Sequence, residues 1–139
     1  LVFILNAFLG FIGDQAGFDL SIQIILGYIF APIAWLMGIP WDEAILAGEL
    51  LGLKTALNEF YAYPGLASEE YSSLSDRSKL ITFYSLCGFA NLSSVGILVS
   101  GIAAMAPDRK EDLIKVSLKA LVGATLASCM TGLIVGIFI

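Results

Sequence analysis

The chain has 139 residues, 58% of them hydrophobic, with a mean hydropathy of +0.90. Its 7 basic and 12 acidic residues, net charge −5, crowd into a few short stretches, which is the composition of a membrane protein. The absence of histidine removes a Ser-His-Asp triad, a Cys-His pair and imidazole metal sites, and no Lys/Arg stripe exists to neutralise phosphates. An enzyme, a metal centre, an organic cofactor and a nucleic-acid partner are therefore not expected.

Leu1 to Phe11 is apolar but shorter than the roughly 20 residues that cross the hydrocarbon core, so it reads as the end of a span in a longer protein. Leu1 to Gly13 lacks the basic n-region and cleavage pattern of a signal peptide. Asp14 to Asp19, with Gly13 and Gly17, reads as a turn, and Asp19 is placed to cap the next segment. Ile24 to Trp41 is uncharged but interrupted by Gly27, Pro32, Gly38 and Pro40, with Tyr28, Trp35 and Trp41 spread along it. Pro32 is expected to break or kink a helix, and Trp and Tyr favour the membrane–water interface. A broken interfacial helix over 19–39 is the preferred reading, and a kinked span is the other.

Asp42 and Glu43, after Pro40, occupy a first helical turn, where the macrodipole favours acids. Beyond them Glu49, Lys54 and Glu59 lie in a segment otherwise apolar enough for a membrane. A charge at the bilayer centre costs about 2.5–3.5 kcal/mol, so these three must face protein, a cavity or a ligand. Charges at the middle, with Pro64-Gly65 at the end, fit two half-length arms better than one crossing. A re-entrant hairpin over 41–68, with its tip at Leu57 to Phe60, would hold Asn58 and Glu59 near the midplane. For Lys54, neutralising Glu59 or a helix C-terminus is preferred over contact with a ligand.

Ser68 to Lys79 is a polar loop, with Ser75 as N-cap and Asp76 in the first turn of the next helix. Leu80 to Ala106 carries no charge and ends at Pro107, so it reads as a transmembrane span with its midpoint near Ser93. Two readings of its Asn91, Ser93 and Ser94 stay open. They glue helices together by hydrogen bonds, with Gly96, Ser100 and Ala104 allowing close packing, or the helix is unwound around Gly88 to Asn91 and presents a half-helix N-terminus to a ligand. Asp108 with Glu111 resembles a capping box. Arg109, Lys110, Lys115 and Lys119 mark the cytoplasmic side. Ala120 to Ile139 is the last span, with Ala124, Ser128, Gly132 and Gly136 as a small-residue face, and its C-terminus then lies outside. Cys87 and Cys129, both in apolar runs, read as small buried residues.

The run Gly52-x-Lys54-x-x-x-Asn58-Glu59-Phe60-x-Ala62-Tyr63 resembles the signature of the concentrative nucleoside transporter family. So do Cys87-Gly88-Phe89-Ala90-Asn91-Leu92-Ser93-Ser94 and the turn Ala106-Pro107-Asp108-Arg109. Tyr61, where the family commonly has valine, and Pro64 depart from the pattern. The resemblance implies an all-α membrane protein with a re-entrant helical hairpin and discontinuous transmembrane helices, one of two inverted repeats. Residues 1–13 would end a scaffold helix, and 14–139 would be the second repeat of a transport domain: interfacial helix 19–39, hairpin 41–68, broken span 76–106 and last span 108–139. The implied function is ion-coupled nucleoside symport by a homotrimer in the bacterial inner membrane, with Na+ or H+ as coupling cation and its site upstream of Leu1. Glu59, Asn91 and Ser94 would hydrogen-bond the ribose, with Phe89 close by and Asn58 beside Glu59 at the tip. A channel, or a membrane subunit without concentrative transport, is the alternative.

Overall fold

A computed structural model describes residues 2–17 and 20–139, and every regular element among them is a helix. Seven α-helices follow one another: α1 (Val2–Ala16), α2 (Ile22–Leu36), α3 (Trp41–Ala56), α4 (Glu59–Leu66), α5 (Asp76–Leu86), α6 (Leu92–Met105) and α7 (Lys110–Phe138). Short 3₁₀ turns at Glu69–Tyr71 and Pro107–Arg109 precede α5 and α7.

The first helix runs on to Ala16, so Asp14 is helical and the expected turn begins only at Gly17, whose φ of +79° suits a residue without a Cβ. Asp19 lies outside the described residues. The start of α2 is capped by Ser21, whose Oγ accepts from the Ile24 amide at 3.2 Å, and by Asn6 of α1, whose Oδ1 accepts from the Ile22 amide at 2.9 Å. Pro32 does not break α2, which continues to Leu36; the proline removes only its own amide from the ladder. The break falls instead at Gly38 (φ +93°) to Pro40, where the chain turns through 118° into α3. Trp35 and Trp41 meet edge to face across that turn, with ring centroids 6.3 Å apart.

Glycine sets how closely α2 and α3 pack. A Cβ on Gly48 would stand 2.6 Å from the Gly27 carbonyl oxygen and 2.9 Å from the Ala31 amide nitrogen, so backbone lies against backbone. Around this crossing Ala31, Ala34, Ala44, Ala47, Leu50 and Leu51 form the core, joined by Ala62, Tyr71, Leu74, Ile81 and Leu86. The chain leaves α3 at Leu57 and returns along it as α4, so that Leu50 of α3 packs on Gly65 near the far end of α4. α4 runs through Pro64 and ends at Leu66, two residues beyond the proline.

The uncharged run from Leu80 to Ala106 is not one helix. It is split between α5 and α6 by an extended segment around Gly88 to Asn91. At 1.5 Å per residue the two halves reach about 17 and 21 Å, each short of the roughly 30 Å core. α7 is long and apolar enough to cross a membrane, counted from Pro107 to Phe138. Three of its four small residues act as expected. Ser128 lies against Gly88, Gly132 against Ser85 and 2.5 Å (by a built Cβ) from the Ile81 carbonyl, and Gly136 against the Ile81 side chain. Ala124 is exposed, and α6 buries no residue of its own, so Gly96, Ser100 and Ala104 seat no helix among the described residues. Nor does Asp108 form a capping box: Arg109 is the N-cap of α7 with no side-chain bond, and its Nε instead pairs with Asp112 at 2.9 Å.

Side chains also tie distant helix ends together. Ser75 caps α5 through the Ser78 amide, while its own amide and hydroxyl donate to Glu43 of α3 at 3.2 and 2.9 Å. Arg77 donates to the Gly38 carbonyl after α2 and to the Gly136 carbonyl of α7 at 2.8 Å. A lysine keeps the charge but not the planar fork that reaches both oxygens. Arg77→Met should therefore lower the thermal midpoint of the purified protein, with Arg77→Lys between it and wild type. The loss should be about 1 kcal/mol, below the ~1.5–3 of charged hydrogen bonds because the side chain is exposed. Equal midpoints for all three would show that the clamp contributes nothing.

Candidate functional site

Two helix breaks lie side by side, and each is made by an asparagine. Asn58 is extended (φ −171°, ψ 172°), and its Oδ1 accepts from the Tyr61 amide at 3.2 Å, starting α4. Asn91 is likewise extended (φ −150°, ψ 164°), and its Oδ1 accepts from the Ser94 amide at 2.7 Å, starting α6. The short polar side chain supplies the acceptor that the first amides of a helix lack. Here it competes successfully with continued helix even inside an apolar run.

The breaks are joined by one bond. Asn91 Nδ2 donates to Glu59 Oε2 at 3.1 Å, and the Ser94 hydroxyl donates to Asn91 Oδ1 at 2.7 Å. Asn91 is buried, whereas Glu59 and Ser94 are half-buried, so the trio has a wall side and an open side. Glu59 sits in the first turn of α4, where the positive end of the helix dipole stabilises its carboxylate. Its second oxygen keeps its acceptor capacity, and the Ser94 hydroxyl can still accept. Phe89 is exposed and borders a cavity of about 170 Å³ together with Asn91, Ser94, Leu98 and, from α7, Ser117 and Leu121. The structure thus brings Glu59, Asn91 and Ser94 into one network with Phe89 at its edge. Asn58 stands next to Glu59, but its acceptor is committed to its own helix.

Lys54 does not pair with Glu59: no acidic group comes within ion-pair distance of it among the described residues. Its side chain is 1% exposed, in the last turn of α3, and its ammonium lies 3.7 Å from where a Cβ of Gly88 would be. Glu49, also buried, accepts from the Tyr71 hydroxyl at 3.0 Å. Burial and then that carboxylate push the Tyr71 phenol up, so it remains a donor. The sequence gives no signal for this partner, 22 residues away. Cys87 is exposed rather than buried, with its sulfur 3.0 Å from the Tyr63 hydroxyl, and it forms no disulfide; Cys129 is buried. Tyr63 also meets the Phe83 carbonyl at 3.2 Å, tying α4 to the end of α5, a role that only its aromatic place at the end of the motif hints at. A larger cleft of about 460 Å³ between α4 and α5, bordered by Tyr63, Asp76, Lys79 and Phe83, contains none of the candidate residues.

Sequence comparison gives this geometry a family. The chain is 43% identical to the nucleoside permease NupC of Helicobacter pylori over 124 residues, covering 86% of this chain and 30% of that protein. It is 38% identical to the sodium/nucleoside cotransporter 1 of Mus musculus, covering 96% of this chain and 23% of that one. Among solved structures, CNTnw in an inward-facing substrate-bound state superposes with a TM-score of 0.89 at 42% identity, over 99% of this chain and 34% of the other. The chain therefore spans about a third or less of the length of these relatives. Residues 1–136 match the family model described as the Na+ dependent nucleoside transporter C-terminus, and with two helix breaks joined through Glu59 and Asn91 the chain belongs to that family.

Proposed function

We propose that the chain is the second of two inverted repeats in a secondary active nucleoside symporter working by alternating access. In this reading α3 and α4 form a re-entrant hairpin, and α5 and α6 are the halves of a discontinuous span. The observation that carries it is the Glu59–Asn91–Ser94 network at the meeting point of two half-helix N-termini. A carboxylate with a free oxygen accepts from one hydroxyl, and the Ser94 hydroxyl, its own proton given to Asn91, accepts from a second, which suits a vicinal diol such as ribose. Broken helices at the membrane midplane place such groups where either side can reach them. The aromatic face of Phe89 offers an apolar surface beside the sugar. The base-reading groups and the coupling-ion site, for Na+ or H+, belong to the first repeat, and three copies assemble in the bacterial inner membrane.

The decisive measurement is uptake of labelled uridine by the complete transporter in proteoliposomes. Uridine should accumulate above its external concentration under an imposed Na+ or H+ gradient and leak back when an ionophore collapses it. Simple equilibration, unaffected by either gradient, would replace the symporter with a channel. Orientation is tested separately. With the basic cluster Arg109 to Lys119 on the cytoplasmic side, a reporter fused after Ile139 should be active only outside, and cytoplasmic activity would invert the topology.

A further inference from the structure

We infer that the Lys54 ammonium is a tethered cation: it neutralises the C-terminal ends of α3 and α5 where a free ion could otherwise bind, and thereby fixes the broken span to the hairpin tip. Its role in transport rests on the symporter reading above; its geometry does not.

Four helix ends meet at this level, and they are sorted by polarity. Glu59 and Asn91 stand at the N-terminal ends of α4 and α6, 3.1 Å apart. Lys54 belongs to the last turn of α3, and its ammonium reaches Gly88, the first residue beyond Cys87, which closes α5. The last carbonyls of a helix lack amide partners and carry about half a negative charge between them. At the end of α5 the Phe83 carbonyl is taken by Tyr63, the Tyr84 carbonyl by the Cys87 amide and the Gly88 carbonyl by the Ala90 amide, and the ammonium lies 3.7 Å from where a Gly88 Cβ would be. A buried ammonium with no acid in ion-pair contact among the described residues is expensive, and the ends of α3 and α5, with Glu59 farther off, are the compensation this place offers.

The same arrangement explains why residue 88 is glycine. A Cβ there would collide with the Ser128 side chain of α7, so the backbone at the break can come this close only without a side chain, with the ammonium in ordinary contact beside it. In transporters with discontinuous helices, half-helix C-termini and unwound carbonyls coordinate the coupling ion. Here the charge is covalently supplied by the hairpin, so this half needs no ion of its own at the break. Hairpin tip and broken span then move as one body, which keeps Glu59 against Asn91. Lys54 is a positioning residue and touches no nucleoside.

The test uses the complete transporter with two variants. Lys54→Met keeps the apolar stem and removes the charge; it should fold and bind uridine about tenfold or more weakly, the scale of ~1.4 kcal/mol. Lys54→Ala leaves a slot for a small amine. Propylammonium should raise its thermal midpoint, measured without nucleoside, while leaving wild type unmoved, and 1-propanol should not substitute. Should Lys54→Ala fail to accumulate, purification in propylammonium should recover folded protein. Wild-type uridine affinity in Lys54→Met, or a propylammonium shift no larger in Lys54→Ala than in wild type, overturns the inference. If wild type itself ignores uridine, the nucleoside reading falls, and the ligand-free thermal comparison still decides the role of Lys54.

Discussion

Glu59→Gln in the complete transporter should weaken ribonucleoside binding by roughly 10- to 100-fold, because a hydrogen bond to a charged acceptor contributes about 1.5–3 kcal/mol. The fold should survive. The substituted side chain has the same size, and its carbonyl can still accept from Asn91 Nδ2, which now stands 3.1 Å from the carboxylate. The pattern across ligands identifies the role more sharply than the loss itself. A site built around a hydroxyl penalises the analogue lacking it, since its own buried groups are left unpaired. Deleting a ribose hydroxyl should therefore hurt wild type more than it hurts Glu59→Gln. Asn91 needs a different substitution, because alanine would also remove the N-cap of α6, a loss of about 0.5–2 kcal/mol of stability. Asn91→Asp keeps the cap acceptor for Ser94 but replaces the donor facing Glu59 with a second carboxylate. It should fold and bind poorly. Equal losses for ribonucleosides and their deoxy analogues in both variants would mean that Glu59 and Asn91 hold the breaks together without reading the sugar.

Gly48→Ala should strongly destabilise the α2–α3 crossing. The added carbon would lie 2.6 Å from the Gly27 carbonyl oxygen, 2.9 Å from the Ala31 nitrogen and 3.1 Å from the Phe30 carbonyl carbon. All three are backbone atoms, so no rotamer change relieves them. Overpacking a well-filled core usually costs about 1–3 kcal/mol, and this substitution should fall at or above the top of that range. Gly27→Ala across the same crossing is the internal control. Its nearest neighbour would be the Glu49 side chain at 2.7 Å, which can turn, although the Ile45 carbonyl at 3.0 Å still resists. Thermal midpoints should fall in the order wild type, Gly27→Ala, Gly48→Ala. A Gly48→Ala protein as stable as wild type would show that the two helices can separate, and that close backbone contact is not what holds α2 on α3.

Local signals in the chain determined where several helices begin. Ser75 with Asp76 starts α5, and Asp42 with Glu43 opens α3 after Pro40, because each signal acts within one turn of itself. The three charges in the apolar segment required interior places, and the spacing of Ser128, Gly132 and Gly136 required a close helix neighbour; both follow from solvation and size alone. The linked motifs around Asn58 and Asn91 were enough to identify the family. What tertiary structure decided were the competitions. Pro32 stays helical and Gly38 takes the turn, since burying α2 against α3 outweighs one missing amide bond. An unbroken apolar run divides at Gly88 to Asn91 because the Asn91 cap, its bond to Glu59, the fit of Gly88 on Ser128 and the Lys54 ammonium act together there. Three of those four partners lie 30 or more residues away along the chain. Sequence adjacency does not express such contacts, so the residues of the site were legible one by one, and their division into a cation on helix C-termini and a carboxylate on helix N-termini was set only by the packing of four helix ends.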